Sequence, residues 1–302
     1  MIIKMNVKGP FRPKVFRART VGEKAPLDRD AIGRALAEDA PSGDITTSLT
    51  VPEGATARAV LMAKQDLVAA GLDVFAEVFK MVDPSIRVRT KVKDGVAVRK
   101  AEVMARIFGP AGAILRAERV ALNYLIRMCS VATLAASYVA AVKGTKATIL
   151  DTRKTTPGLR DLEKYSVRAG GAMSHRRDLS AMVLIKENHI AVAGGVEQAL
   201  AMARKGVGKK GFIEIEVTSL SQLQEAIGAG ADMVLLDNMT PAMMKKAVLV
   251  NQGRVWLEAS GNMTLQRAAQ AAGAGVDFIS VGALTHSAPA VDLSLLVEIG
   301  AK

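Results

Sequence analysis

The sequence predicts an α/β protein of two domains, the second of which is an α/β barrel. Half of the 302 residues are hydrophobic, which is enough to build a large buried core. In the second half of the chain, β-rich segments recur, and the last four are spaced by roughly 22 residues, the length of one strand, one helix and two short loops. Residues 229–232 and 274–277 read Ala-Gly-X-Asp directly before such segments, which is typical of a helix that ends at glycine.

The first predicted domain spans residues 31–121 and mixes helical and strand-like segments. A short helical run begins near Ile32, and alternating stretches at 57–62 and 86–92 predict strands. Gly109-Pro110 interrupts this pattern, and 113–142 then has helical apolar spacing without a proline. We therefore expect a compact α+β domain followed by a long connecting helix.

The predicted barrel domain covers residues 122–288. Its parallel strands are expected at six β-rich segments, 148–150, 182–185, 212–217, 233–236, 255–257 and 278–281. The last residues, 289–302, are expected to return to the first domain.

Charge and composition exclude several classes of protein. Lys and Arg outnumber Asp and Glu by 41 to 29, but only 4% of residues are aromatic, which argues against stacking on single-stranded nucleic acid. The longest strongly apolar stretch, 131–142, is shorter than the roughly 20 residues of a membrane span, and the N-terminus lacks an apolar signal core. We therefore expect a cytoplasmic protein without nucleic-acid or membrane partners.

Two further features receive structural interpretations. Part of the positive charge lies in residues 1–30, which we interpret as a solvated basic extension. The single cysteine, Cys129, lies in an apolar helical run and cannot form an internal disulfide. We expect its thiol to pack in the core.

Charged residues stand at the predicted carboxyl ends of nearly all barrel strands. Active sites of such barrels are built at that end, so these side chains should meet at one mouth. They are Asp151, Arg153, Lys154, Lys186, Glu214, Glu216, Asp237 and Glu258.

Three segments supply cations to this mouth, Arg153-Lys154, His175-Arg176 and Lys186 with His189. Clustered cations repel one another unless anions occupy the pocket, and arginine binds carboxylate and phosphate through two parallel hydrogen bonds. A ligand with several acidic groups is therefore expected. Two alternatives stay open: Lys186 as a Schiff-base nucleophile, and a structural role for His175 or His189. Neither histidine has a second ligand residue at zinc-site spacing.

The last two predicted strands end in small residues, Ser260-Gly261-Asn262 and Gly282-Ala283. Loops after the final strands of such barrels frequently bind phosphate through backbone amides. Glu216 and Asp237 lie on intervening strands, where they would hold ribose hydroxyls or Mg²⁺, directly or through water.

These residues also carry a resemblance to the quinolinate phosphoribosyltransferase family, over about residues 38–296. The matching stretches are Glu38-Asp39, 43–46 (GDIT), 116–123 (RAERVALN), 151–165 (DTRKTTPGLRDLEKY), Ser174-His175-Arg176, 184–190 (LIKENHI), 215–217 (IEV), 235–239 (LLDNM), 257–261 (LEASG) and 279–286 (ISVGALTH).

The resemblance implies the type II phosphoribosyltransferase architecture, an N-terminal α/β sandwich followed by an incomplete seven-stranded α/β barrel. It implies a homodimer or a higher oligomer in which Arg119 enters the partner's active site. The implied reaction joins quinolinate and phosphoribosyl pyrophosphate, in the presence of Mg²⁺, to give nicotinate mononucleotide, pyrophosphate and CO2 for NAD biosynthesis.

The resemblance also assigns roles to individual residues. The pyridine dicarboxylate would be surrounded by Arg119, Arg153, Lys154, His175, Arg176 and Lys186. The catalytic residues would be Lys154, Glu216 and Asp237, the last two near the ribose and the metal. The 5′-phosphate would be held by Ser260, Gly261 and Gly282.

Four positions depart from the family pattern: Ser174, Ala181, Glu187 and Asn262. Related chains associated with molybdenum-transport operons share most of the motifs, so phosphoribosyl transfer to another acid is an alternative within the same fold. An alternative of another class is a non-catalytic protein that binds polyanions.

Overall fold

The computed structural model describes residues 16–18 and 22–298 of the chain. Their strands are β1 Thr56–Ala63, β2 Leu67–Val68, β3 Arg87–Thr90, β4 Ala97–Val98, β5 Val103–Pro110, β6 Thr148–Leu150, β7 Val183–Ile185, β8 Ile213–Val217, β9 Met233–Asp237, β10 Trp256–Ser260, β11 Phe278–Ser280 and β12 Leu293–Glu298. Their helices are α1 Arg29–Asp39, α2 Ile45–Thr50, α3 Leu72–Val82, α4 Ala111–Ala141, α5 Arg160–Ala169, α6 Glu187–Ala193, α7 Val196–Val207, α8 Leu220–Gly228, α9 Pro241–Asn251, α10 Leu265–Ala274 and α11 Ala283–His286.

The chain divides into two compact units. The sandwich unit consists of Arg19–Ala136, Thr155–Gly171 and Ser287–Lys302, and the barrel unit of Met1–Ala18, Ser137–Lys154 and Ala172–His286. The chain thus crosses between units more often than boundaries after residues 30, 121 and 288 would require. Specific bonds explain the placement of α5: within the sandwich unit, Tyr165 donates to Asp94 at 2.8 Å, and Arg127 donates to Glu163 at 2.9 Å.

The sandwich unit is built on an antiparallel sheet with the strand order β12-β1-β5-β3. The chain end returns to this sheet, because β12 pairs with β1 along its whole length. Side chains of β1 alternate between exposed and buried over its first half, as a strand with one covered face does. Its Leu61 joins a core to which α3 contributes Phe75 and Phe79.

Helix α4 corresponds to the long helix predicted over 113–142. By length and composition alone it could cross a membrane, with a mean hydropathy of 1.4 over its most apolar window. Its apolar side chains pack inside the protein instead. The core of the sandwich unit buries Ile114, Leu122, Leu125 and Met128. Cys129 is also fully buried there, which confirms its predicted packing role.

The barrel unit contains one parallel sheet with the strand order β6-β11-β10-β9-β8-β7. Because β6 and β7 are its edges, this sheet forms an incomplete barrel, and the predicted fold class is confirmed. The described residues form six barrel strands instead of seven. A seventh segment is represented by Met173, whose only described ladder contact to β6 is a single parallel bridge to Leu150.

The interpretation of residues 1–30 as a solvated extension is wrong for several of the described residues. Phe16 is buried, and Arg17 forms an antiparallel bridge with Ser174 in the barrel unit. Within the sandwich unit, Glu23 forms an ion pair with Arg168 at 2.6 Å in which both side chains are only 7% exposed. Residues 1–15 and 19–21 lie outside the described residues. Composition alone missed these contacts because it does not show which basic segment carries a buried aromatic ring.

Candidate active site

The carboxyl ends of the barrel strands meet at one polar cavity of about 790 Å³. Parallel pairing sets the ends side by side: Ser260 is in register with Asp237, and Glu216 with Leu235. Site residues predicted from the sequence line this cavity together: Arg153, Lys154, His175, Arg176, Lys186, Glu216, Asp237, Ser260, Gly261 and Gly282.

A second cavity, of about 890 Å³, lies beside β7 and has a different character. Its lining is mostly apolar and includes the exposed Leu179, Val192 and Met202. It contains no carboxylate and so lacks the paired charges of the polar cavity. The chemistry suited to an anionic substrate is therefore found at the strand ends.

Arg176 is the most buried cation that lines the polar cavity. It is 6% exposed, and its Nη1 donates to the backbone oxygen of Met182 at 3.3 Å. Burial, and after it the neighbouring charge of Arg153, lower the pKa of Arg176 from its ordinary value, while Glu214 opposes that shift. Two arginines that disfavour each other's charge in this way create a site that an anion would relieve.

His175 is held from several sides by protein atoms. Its Nε2 lies 3.1 Å from Glu214 Oε2 and 3.4 Å from Glu258 Oε2, and its Nδ1 accepts the backbone N–H of Arg176 at 2.7 Å. All three acidic or basic side chains are at least nine-tenths buried. His175 thus lines the cavity and is at the same time the centre of a buried cluster, which supports the structural alternative for this residue.

The charges within this cluster shift the pKa values of His175 and Glu214. Burial lowers the pKa of His175, but the charges of Glu258 and Glu214 outweigh it and raise the pKa to about 10. Burial and the charge of Glu258 raise the pKa of Glu214 to about 7. Because Nδ1 accepts from the Arg176 backbone, we place the N–H of the imidazole on Nε2, which donates it to Glu214.

The same three side chains are spaced closely enough to ligate a metal, since their ligand atoms lie within 4.8 Å of one another. A separation of 3.1 Å between His175 Nε2 and Glu214 Oε2 is that of a direct hydrogen bond. The N–H on Nε2 therefore accounts for the short contact between His175 and Glu214.

Two of the carboxylates that line the cavity accept hydrogen bonds from neighbouring side chains. Glu216 Oε2 accepts from Lys186 Nζ at 3.0 Å, and Asp237 Oδ2 accepts from Asn238 Nδ2 at 2.8 Å. Half of the Lys186 side chain remains exposed, so it can turn toward a ligand. His189 Nδ1 accepts the backbone N–H of Lys186 at the start of α6, which supports the structural alternative for His189.

The loops after β10 and β11 bring backbone close to neighbouring groups. Gly261 has a φ of +96°, and a Cβ there would lie 2.2 Å from Asn238 Oδ1, so this position requires glycine. Asn262 follows with a φ of +47°, and asparagine tolerates this left-handed conformation better than most residues. The departure at Asn262 thus keeps the backbone shape that a glycine would have. At Gly282, a Cβ would lie 3.0 Å from Lys154 Cδ.

One predicted site residue does not line this cavity, and other residues that line it were not predicted. Arg119 belongs to the sandwich unit, where it is exposed on α4. His286 and Asn238 also line the cavity, although neither was predicted as a site residue. His286 ends the matching stretch 279–286, and Asn238 follows Asp237 directly, so both positions carried a signal.

Comparisons with known proteins agree with this architecture. The family model described as quinolinate phosphoribosyl transferase, N-terminal domain, matches residues 44–129, and the corresponding C-terminal domain model matches residues 131–296. The chain is 41% identical over 275 residues to nicotinate-nucleotide pyrophosphorylase (carboxylating) of Mycobacterium leprae, with 88% of this chain and 96% of that protein covered.

Two further similarities cover nearly as much of the chain. Identity is 39% over 262 residues to the probable nicotinate-nucleotide pyrophosphorylase (carboxylating) of Bacillus subtilis, covering 87% of this chain and 90% of that protein. The solved nicotinate-nucleotide pyrophosphorylase of Francisella tularensis superimposes with a TM-score of 0.86 at 37% identity, covering 91% of this chain and 99% of that one. Sequence motifs, strand topology and both domain models thus agree: the chain belongs to the quinolinate phosphoribosyl transferase family.

Proposed function

We propose that this protein transfers the phosphoribosyl group of phosphoribosyl pyrophosphate to quinolinate and decarboxylates the product, a step of NAD biosynthesis. One observation carries the proposal: a single cavity contains a cluster of cations, two small-residue loops and, between them in chain order, the carboxylates of Glu216 and Asp237 in addition to the buried Glu258. These three parts match a dicarboxylate, a ribose and a phosphate.

The dicarboxylate would bind among Arg153, Lys154, Arg176 and Lys186. Arginine can bind a carboxylate through two parallel hydrogen bonds, while a lysine acts as a point charge. His175 then orients Arg176 through the bond between its Nδ1 and the Arg176 backbone. This role replaces direct substrate contact by the His175 ring.

The ribose would lie beside Glu216 and Asp237. The ring nitrogen of quinolinate forms a bond to the anomeric carbon as the bond from that carbon to pyrophosphate breaks. Positive charge develops on the ribose in this step, and a carboxylate nearby stabilises it. The 5′-phosphate would accept backbone N–H groups of the loops at Ser260, Gly261 and Gly282.

Decarboxylation then follows from the new charge on the ring. Once the ring nitrogen is ribosylated, the pyridinium can stabilise the electron pair left when the adjacent carboxyl carbon departs as CO2. The ring carbon that carried the lost carboxylate keeps this electron pair and takes a proton from solvent or from a neighbouring acid, for which Lys154 Nζ is a candidate donor. The product has one carboxylate less than the substrate, so the cations hold it less strongly.

Mg²⁺ fits the donor set of this cavity. Mg²⁺ usually keeps several waters and binds one or two carboxylates together with substrate phosphates. Glu216 and Asp237 are two such carboxylates, both lining the cavity and both partly accessible. When bound, the ion would neutralise charge on the leaving pyrophosphate.

We also propose a homodimer, or a higher oligomer, in which Arg119 completes the partner's cavity. Its exposure on α4 supports this assignment, because an arginine without a buried role is available to a second chain. The cytoplasm is the compartment we propose, consistent with a single cysteine that is buried.

The test is an assay of pyrophosphate and CO2 release with phosphoribosyl pyrophosphate, Mg²⁺ and a panel of pyridine carboxylic acids. We expect both products in equal amounts with quinolinate, and neither with nicotinate, which lacks the second carboxylate. Turnover of another acid without turnover of quinolinate would favour the alternative within the fold. If no acid reacts and the protein binds nucleic acid with steep salt dependence, the polyanion-binding alternative replaces the proposal.

A further inference from the structure

The N-terminal segment Phe16-Arg17 contacts the barrel beneath the proposed acid-binding site. The Phe16 ring lies 5.0 Å from the His175 ring and 4.9 Å, edge-on, from the Phe278 ring, measured between centroids. Arg17 N donates to Ser174 O at 3.0 Å, and Ser174 N donates to Arg17 O at 2.8 Å. Two consecutive residues of the segment thus hold two consecutive residues of the barrel unit.

The Phe16 ring belongs to an apolar cluster at the end of the barrel opposite the cavity. Met233, Phe278 and Trp256 are the first residues of β9, β11 and β10, so they stand at the amino ends of these strands. Phe16 is 6% exposed within this cluster. Its ring therefore contacts both the His175 ring and the Phe278 ring of this cluster.

The backbone of Ser174 lies at the open seam of the barrel. On one side, Met173 N donates to Ile149 O at 2.9 Å and Asp151 N donates to Met173 O at 3.1 Å. On the other side, Arg17 supplies the two bonds to Ser174. Arg17 therefore supports, through two backbone hydrogen bonds, the segment that leads directly into His175 and Arg176.

We propose that Phe16 and Arg17 are positioning residues of the active site, which fix His175 and through it the guanidinium of Arg176. Phe16 holds the imidazole against Glu214, and that imidazole accepts the Arg176 backbone N–H. The inference rests on the proposed function for the identity of the substrate. It concerns residues outside the matched family regions, which begin at residue 44.

The first experiment compares Phe16→Ala with Leu223→Ala. Leu223 is fully buried on α8 of the same unit and does not line the cavity, so it matches the loss of packing without touching His175. We expect the KM for quinolinate to rise on the order of tenfold in Phe16→Ala, because a small displacement of a binding group is costly. The KM for phosphoribosyl pyrophosphate should change much less, and Phe16→Leu should restore part of the loss.

A readout independent of activity comes from the only tryptophan, Trp256. Its ring lies 5.6 Å from Phe278, which contacts Phe16, so its emission reports on this cluster. Iodide should quench Trp256 more strongly in Phe16→Ala than in the wild type or in Leu223→Ala.

A second pair of variants tests the backbone contact. Arg17→Pro removes the N–H that donates to Ser174, whereas Arg17→Ala keeps it, so the difference between the two isolates that bond. We expect a higher KM for quinolinate in Arg17→Pro than in Arg17→Ala. This pair also keeps the inference testable if Phe16→Ala does not fold.

Three results would overturn the inference while leaving the proposed function intact. They are an unchanged KM for quinolinate in Phe16→Ala, equal changes in the KM of both substrates, and the same profile in Leu223→Ala. Failure of the wild-type protein to use quinolinate would instead contradict the proposed function, and the tryptophan measurement would then still decide whether Phe16 shields the cluster around Trp256.

Discussion

Arg176 and Arg177 are adjacent arginines that lie in different environments. Arg176 is buried beside Arg153 at the cavity, whereas the next residue, Arg177, has a side chain that is 61% exposed and pairs with Asp178. Under the proposed function, we therefore expect the two arginines to differ in the free energy that each contributes to holding an anion. A charged hydrogen bond in a desolvated pocket contributes much more than an exposed ion pair.

The pair provides a direct comparison at the residue scale. Arg176→Ala should weaken quinolinate binding by roughly 2 to 5 kcal/mol, because it leaves a substrate carboxylate without its buried partner. Arg177→Ala should leave binding unchanged. Isothermal titration with quinolinate measures both, and equal affinities in the two variants would remove Arg176 from the site.

Gly253 serves as a control for a substitution at Gly261. Both have positive φ, +96° and +75°, but only at Gly261 would a Cβ meet neighbouring atoms, those of Asn238. Alanine at either position strains the backbone by about 1 kcal/mol or more. Gly261→Ala should additionally raise the KM for phosphoribosyl pyrophosphate, since the phosphate loop must move. A similar KM in both variants would contradict the assignment of this loop.

At the scale of elements, a buried ion pair joins α4 to α5. Arg127 Nε donates to Glu163 Oε1 at 2.9 Å, and Glu163 Oε2 accepts the backbone N–H of Thr156 at 3.1 Å. The Glu163 side chain is 1% exposed and that of Arg127 is 26% exposed. The carboxylate depends on these bonds because water reaches little of it.

Removing the arginine should therefore destabilise the sandwich unit. Arg127→Met leaves a buried carboxylate uncompensated, and we expect a loss of about 3 kcal/mol in the free energy of unfolding. Arg29→Met is the control: Arg29 pairs with Glu77 but its side chain is 64% exposed, so the loss should stay below about 1 kcal/mol. Urea unfolding compares the two, and equal midpoints would show that the Arg127 bond contributes little.

At the scale of the whole molecule, the proposed dimer places residues of two chains in each cavity. Arg119 lies in the sandwich unit and Lys154 in the barrel unit. If Arg119 acts on the partner, Arg119→Ala and Lys154→Ala damage different components of a shared site. A two-fold interface repeats each contact twice, so a mixed dimer would contain one cavity with both defects and one with neither.

Subunit exchange tests this arrangement. We expect Arg119→Ala and Lys154→Ala homodimers to be inactive, and activity to return in up to about half of the sites of the mixed dimers. Mass spectrometry under native conditions confirms that exchange has occurred. If exchange is complete and no activity returns, Arg119 acts within its own chain or has no role in the site.

Much of this architecture could be predicted from local sequence signals. The spacing of apolar residues and the positions of glycines predicted the six barrel strands and the long helix, because strands and helices have different side-chain periods. Charges at strand ends predicted a common cavity, because parallel strands place their carboxyl ends at one edge. The motifs added the family to which the chain belongs.

Only the tertiary structure decided how deep each of these side chains lies. Glu214 and Glu216 are two positions apart on β8 and point to the same side, yet Glu214 is buried against His175 while Glu216 faces Lys186 in the cavity. The contact between Phe16 and His175 joins residues far apart in sequence. Local patterns report which face of an element is apolar, but depth and long-range contacts follow from packing of the whole chain, which those patterns do not contain.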